Sequence, residues 1–255
     1  MNEAKFNIAV LIDGDNAQAK LIKEILEEVS KYGKATIRRI YGDWTTSQMN
    51  SWKEIINQYS INPIQKFSYT TGKNSTDSSL IIDAMDVLHS KSVDGFCIVS
   101  SDSDYTGLAK RIREEGLFVM GIGRKTTPIA FVNSCEIFTF SENLIEEIIE
   151  IKHQHTSDIK PKKTPTKTVE KIVELKKGYP KLDLSLIDKA FEISTNEEDE
   201  TYISKVGATL RKIDPSFDSR TYGFKTLTQL FDSIAKYKVV KNLVNGLNHP
   251  LVKLK

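Results

Sequence analysis

The 255-residue sequence is poor in several features, and each shortage closes off a class of protein. It holds only two cysteines, Cys97 and Cys135, both in apolar, strand-like surroundings. A disulfide scaffold or a thiolate metal site is therefore disfavoured, and buried free thiols in a reducing cytosol are expected. No apolar run approaches the roughly 20 residues needed to cross a bilayer, so no membrane association is expected. Met1 to Lys5 does not combine a basic stretch with an apolar one, so no signal peptide is expected and the chain reads as cytoplasmic. Net charge is small, +2, but unevenly spread. Residues 1–151 carry 16 Lys+Arg against 21 Asp+Glu, whereas residues 152–255 carry 20 against 13. An acidic half joined to a basic half suits a polyanion gripped at one place and processed at another.

What is present is organised around Asn7-Ile8-Ala9-Val10-Leu11-Ile12-Asp13-Gly14-Asp15-Asn16. The unbroken apolar run Ile8 to Ile12 predicts a short strand covered on both faces, and the turn residues Asp13 to Asn16 end it. Phe96-Cys97-Ile98-Val99 runs in the same way into Ser100-Ser101-Asp102-Ser103-Asp104. Ligands of open α/β sheets bind outside the carboxyl ends of the strands. Were the two strands neighbours, Asp13, Asp15, Asp102 and Asp104 would gather at one lip. Carboxylates packed together repel, and a divalent cation with oxygen ligands removes that cost. A Mg²⁺ or Mn²⁺ site acting on a phosphate ester is the first expectation. Taken singly, Asp15, Asn16 or Asp104 could instead cap a helix.

Further along, the apolar spacing predicts a helix from Asn16 to Tyr32, a strand from Ala35 to Tyr41 and a helix with Trp52, Ile55 and Ile56 inward. A short strand near Pro63 to Phe67 follows. Asp77 opens a helix whose buried face is Leu80, Ile81, Ala84 and Leu88, and Asp83 lies within it. Six residues turn a helix by about 240°, so Asp77 and Asp83 do not share a face. Asp77 is placed over the lip, with a capping role as its alternative. Asp83 is a more distant ligand or a surface charge. After the strand Phe96 to Val99 come a helix from Tyr105 to Glu115 and a strand from Leu117 to Ile122. Pro128 then starts a short helix, Cys135 to Phe140 form a last strand, and Ser141 to Lys152 a closing helix. At the end of the Leu117 strand, Arg124, Lys125 and Thr126 could hold substrate phosphates, or form a solvated turn. Strands alternating with helices predict an α/β, Rossmann-like three-layer domain with a mostly parallel sheet over 1–152.

Residues 153–167 contain two prolines and four lysines without apolar periodicity and read as a flexible basic linker. Over 168–255, three amphipathic segments precede two β-like runs, Lys238 to Val244 and Leu247 to Leu254, split by Asn245-Gly246. This is the pattern of a small winged-helix-type domain with a hairpin. Its basic residues Lys205, Arg211, Lys212, Arg220 and Lys225, with Tyr222 and Phe224, suit nucleic acid, although core use of the aromatics fits equally.

The strings Leu11-Ile12-Asp13-Gly14-Asp15-Asn16, Lys73-Asn74-Ser75-Thr76-Asp77 with Asp83, Ser100-Ser101-Asp102-Ser103-Asp104-Tyr105 and Thr127-Pro128-x-Ala130-Phe131-Val132-Asn133 resemble the LabA-like NYN domain, a branch of the PIN-like ribonucleases. Ile203-Ser204-Lys205-Val206-Gly207, Leu210 to Asp218 and Arg220-Thr221-Tyr222-Gly223-Phe224 resemble an OST-HTH (LOTUS) domain. The resemblance implies a PIN-like fold, a metal-dependent endoribonuclease and an RNA-binding C-terminal module. It carries the acidic role onto Asp13, Asp77, Asp102 and Asp104, with Asp13 and Asp102 as the principal ligands. Asn16 and Ser101 are expected to hydrogen-bond ligands or substrate. Two rival expectations stand beside this. One is a haloacid-dehalogenase-type phosphatase with Asp13 as nucleophile. The other is a non-catalytic RNA-binding regulator whose acidic lip is vestigial.

Overall fold

The structure, a computed structural model, describes residues 6–66, 75–145, 179–195, 200–244 and 246–255. It divides into two compact units, Met1–Ile149 and Glu150–Lys255. The predicted linker at 153–167, the end of the closing helix, Phe67, Lys73, Asn74 and Asn245 lie outside the described residues.

In the first unit, strands β1 (Asn7–Asp13), β2 (Lys34–Gly42), β3 (Asn62–Gln65), β4 (Gly95–Val99), β5 (Phe118–Gly123) and β6 (Ile137–Phe140) form one sheet in the order β3-β2-β1-β4-β5-β6. Every pairing is parallel. The chain winds outward from β1 through β2 to β3, then returns to β4 on the other side of β1 and winds outward again. The winding direction therefore reverses between β1 and β4, where such sheets open a crevice for ligands.

The apolar run of β1 obeys the two-residue period of a strand. Ile8, Val10 and Ile12 enter one core with helix α1 (Ile22–Ser30), Met49, Trp52 and Leu144. Ala9 and Leu11 enter the other with helices α3 (Ser75–Ser90), α4 (Thr106–Glu114) and α5 (Ile129–Ser134). Helix α2 (Lys53–Gln58) and a helix α6, described over 141–145, complete the layers. Because both faces are covered, β1 and β4 have no polar face, which is why they read as continuous apolar runs.

Two expected helices begin later than the periodicity suggests, for a local reason. Asn16 and Ala17 donate their N–H groups to the carbonyl of Asp13, which makes a turn. A 3₁₀ turn at Ala19–Leu21 then leads into α1. Likewise a 3₁₀ turn at Ser47–Trp52 precedes α2, and its Met49 thioether fills a notch between two glycines. A Cβ built on Gly14 or on Gly42 would lie 2.6 Å from the Met49 methyl carbon. Helix α4 ends as expected at Gly116, whose φ is +78°.

The second unit holds helices α7 (Leu184–Ser194), α8 (Ile203–Ile213) and α9 (Leu227–Ser233). Strand β8 (Tyr237–Val240) pairs antiparallel with β11 (Leu251–Leu254), and the short β9 (Leu243–Val244) with β10 (Leu247–Asn248). Gly246 takes a φ of +80° in the turn between them. Strand β7 (Glu200–Tyr202) adds to the far side of β11 and was not expected. So short a segment cannot show alternation. The helices and hairpin close over a core that includes Phe191, Val206, Leu210, Phe231 and Val252.

Candidate active site

Asp13 ends β1 with none of its surface exposed. Its carboxylate accepts hydrogen bonds from the backbone N–H of Asp15 (3.1 Å), the Asn16 side-chain amide (2.7 Å) and the Ser100 hydroxyl (2.8 Å). Burial pushes its pKa up, while the donors from Ser100, Asn16 and Asp15 oppose that shift. Asn16 and Ser100 stand on different loops, so Asp13 ties together the two that flank the crevice.

The loop after β4 is wound tightly by its own acids. Ser100 is buried and also accepts from the Asp102 backbone N–H at 3.1 Å. Asp102 caps the 3₁₀ turn Ser103–Tyr105 by accepting from the Asp104 N–H at 3.0 Å. That turn drops the Tyr105 ring into the core, and its hydroxyl donates to Asp77 at 2.7 Å. Asp77 sits in the first turn of α3, inside the helix rather than capping it. Burial raises the Asp77 pKa most; the Tyr105 donor lowers it, and the nearby charges of Asp13, Asp102 and Asp104 raise it again.

One oxygen from each of Asp77, Asp102 and Asp104 lies within 4.8 Å of the other two. An all-oxygen donor set of this size fits a hard divalent cation, whose charge would relieve the repulsion felt by Asp77. Asp13 is not one of these three. It stands behind them, wrapped by Asn16 and Ser100, and its complete burial does not suit an attacking nucleophile of the phosphatase type. Asp15 is exposed and also outside the group. Asp83 points elsewhere, as the helical rotation requires: it binds Arg39 and the Tyr41 hydroxyl.

On the other side of the lip, Ser101 accepts the Arg124 N–H at 2.9 Å, which ties the β4 loop to the β5 loop. The Arg124 guanidinium donates to the Asn16 carbonyl at 3.4 Å. A small cleft between these loops has polar walls at Asn16, Ser101 and Arg124 and apolar ones at Leu21, Ile25 and Ile122. The Lys125 N–H is held by Glu142, at 3.0 and 3.1 Å, and the Lys125 and Thr126 residues are exposed.

A family model described as NYN domain matches residues 7–145, more than half of the chain. The chain belongs to the NYN domain family. A second model, OST-HTH/LOTUS domain, matches residues 168–245. An NYN domain joined to an OST-HTH domain fits a nuclease. Among solved structures, the chain is similar to a protein of unknown function, VPA0982 from Vibrio parahaemolyticus RIMD 2210633. That likeness has 17% identity, covers 54% of this chain and 94% of the other, and has a TM-score of 0.45. It is also similar to the uncharacterized protein of gene locus NE0665 of Nitrosomonas europaea, at 20% identity, 37% and 92% coverage and a TM-score of 0.28. No curated protein matches the chain. Among the described residues, no helix is long and apolar enough to cross a membrane.

Two contributors to the site carry no expected role in the sequence: Ser100 and Tyr105 stand at the two ends of a string that resembles the NYN domain, with only the acids and Ser101 between them singled out. In the OST-HTH unit, Lys205, Arg211 and Lys212 are exposed on α8, as expected. Arg220 is not exposed as expected. Its side chain keeps 12% of its surface and is forked onto Asp218, at 2.6 to 3.0 Å. The reason is local: Asp218 caps the 3₁₀ turn Ser219–Tyr222 and holds Arg220 two residues on. The Tyr222 ring lies tilted against Phe217, with centroids 5.8 Å apart, and both Tyr222 and Phe224 pack on the core. Arg220→Ala is therefore expected to destabilise this unit by about 1.5–3 kcal/mol, the range for a hydrogen bond to a charged partner, read as a lower urea midpoint. An unchanged midpoint would show the pair to be dispensable.

Proposed function

We propose that the chain is a metal-dependent endoribonuclease of the LabA-like type that hydrolyses RNA phosphodiester bonds. In this reading, residues 1–152 cut, residues 153–167 link, and residues 168–255 recruit RNA. The observation that supports it most is the convergence of Asp77, Asp102 and Asp104 beside buried Asp13, at the reversal point of the sheet. These carboxylates would hold Mg²⁺ or Mn²⁺. When bound, such an ion lowers the pKa of a coordinated water and neutralises charge on the phosphate oxygens.

The chain's own residues supply the rest. Tyr105 orients Asp77. Ser100 holds Asp13 and the turn at Asp102 in one network, so that the acids are placed before substrate arrives. Asn16 and Ser101, on the rim of the cleft, are positioned to meet the RNA backbone, and Arg124, Lys125 and Thr126 to grip its phosphates. Lys205, Arg211 and Lys212 would raise the local RNA concentration through the linker. Tyr222 and Arg220 belong to that surface only through their exposed edges.

The 255-residue chain is expected to cleave a mixture of structured and unstructured RNAs with Mn²⁺ or Mg²⁺ and to leave them intact with chelator. Absence of cleavage under every metal condition, with RNA still bound, would replace this reading by the regulator. In the same binding assay, Lys205→Ala with Lys212→Ala should flatten the salt dependence of affinity by about 0.7 log units per lost single-strand phosphate contact. An unaltered slope would move RNA binding off α8.

A further inference from the structure

Helix α3 carries Asp77 in its first turn and Asp83 six residues later. The two side chains point about 120° apart and are roughly 9 Å apart along the axis. Asp77 reaches the Tyr105 hydroxyl, whereas Asp83 reaches back to β2. One Asp83 oxygen takes the Arg39 guanidinium and the other takes the Tyr41 hydroxyl. Both oxygens are so engaged, and Asp83 is not among the three acids that converge.

Tyr41 is the strand residue that registers opposite Asp13 in the β1–β2 pairing. Its carbonyl also accepts the Gly14 N–H at 2.9 Å, which closes the turn directly after Asp13. One residue of β2 therefore touches both the turn that presents Asp13 and the helix that presents Asp77. The contact lies beside the apolar seat of α3, where Leu80 and Ala84 are fully buried, and Arg39 and Asp83 themselves stay partly exposed. Apolar burial is non-directional. A polar clamp with two directed hydrogen bonds adds a fixed direction and position to the contact.

Resting on the metal reading above, we propose that Asp83, with Tyr41 and Arg39, is a positioning residue. It sets helix α3 along the sheet so that Asp77 reaches the Asp102–Asp104 pair. Asp83 acts on the cation only through Asp77.

Mn²⁺ binding to the full chain, followed by the electron paramagnetic resonance of free Mn²⁺, tests this, with circular dichroism on each variant. Asp83→Ala should weaken Mn²⁺ binding by about tenfold, the lower end for residues that orient ligands, and Tyr41→Phe by less. In an Asp77→Asn background, Asp83→Ala should change nothing further, because the lever then has no ligand to place. A purely structural role predicts equal weakening in both backgrounds, and that result overturns the inference. So does equal affinity in wild type and Asp83→Ala. If Asp83→Ala fails to fold, Tyr41→Phe, which removes only a hydroxyl, carries the same comparison. A wild-type chain with no Mn²⁺ binding at all overturns the metal reading itself. The two failures are distinct, since only the second leaves every variant silent.

Discussion

Asp102→Asn should lower metal-dependent RNA cleavage by at least about a hundredfold, the scale seen when one preorganised electrostatic group is removed from an active site. The substitution separates charge from shape. An asparagine caps a helical turn as well as an aspartate does, so it can still accept the Asp104 N–H that Asp102 accepts at 3.0 Å. The backbone N–H of residue 102, which donates to Ser100, is unaffected. What disappears is one anionic oxygen from a group of three within 4.8 Å. Single-turnover cleavage of end-labelled RNA with Mn²⁺ measures the loss, and a thermal melt checks the fold. Cleavage within a few-fold of wild type would mean that Asp102 serves only its turn.

Asp77→Asn should move stability in opposite directions with and without metal. Burial holds the Asp77 carboxyl above its ordinary pKa, and repulsion from Asp13, Asp102 and Asp104 adds to this. The folded state therefore keeps that proton more tightly than the unfolded chain does. The stability Asp77 contributes is fully present below the unfolded-state pKa, and is lost as pH rises through the raised, folded-state value. Asp13 titrates with the same sign. Above those raised values, and without metal, both carboxyls are charged and unfavourable. Asp77→Asn removes one of those charges, and the amide oxygen it leaves can still accept from the Tyr105 hydroxyl. The metal-free variant should thus melt higher than wild type. With Mn²⁺ at about a hundred times its Kd, wild type should gain about 2.7 kcal/mol, or roughly 5–10 °C in the first unit, and the variant much less. Scanning calorimetry with and without Mn²⁺ at two pH values reads this crossing. A variant that melts below wild type without metal would show that Asp77 is stabilised, not strained, where it stands.

Much of this was legible because buried parallel strands leave a plain trace. The runs Ile8 to Ile12 and Phe96 to Val99 could be nothing polar, and the acids that end them had to stand at a strand's end. The NYN and OST-HTH assignments followed from strings that the family models also match. What could not be read was which acid faces which. Asp77 and Asp102 meet because β4 returns to the side of β1 opposite β2, a fact of topology that no local spacing encodes. Tyr105 was hidden for a related reason: a buried tyrosine in an apolar helix stripe looks like core until a carboxylate from a distant helix is placed against its hydroxyl. Arg220 misled in the other direction. Charge suggested solvent, but an acid two residues earlier, itself capping a turn, kept the guanidinium for the fold.

The thioether of Met49 has a consequence for chemical damage. Its methyl carbon is seated where a side chain on either Gly14 or Gly42 would begin, with none of the residue exposed. An oxygen added to that sulfur would be a polar, bulkier plug in a socket shaped for a bare chain end. The turn that follows Asp13 forms one wall of the socket, so peroxide reaching this methionine would wedge the acidic lip open from beneath without touching a single carboxylate.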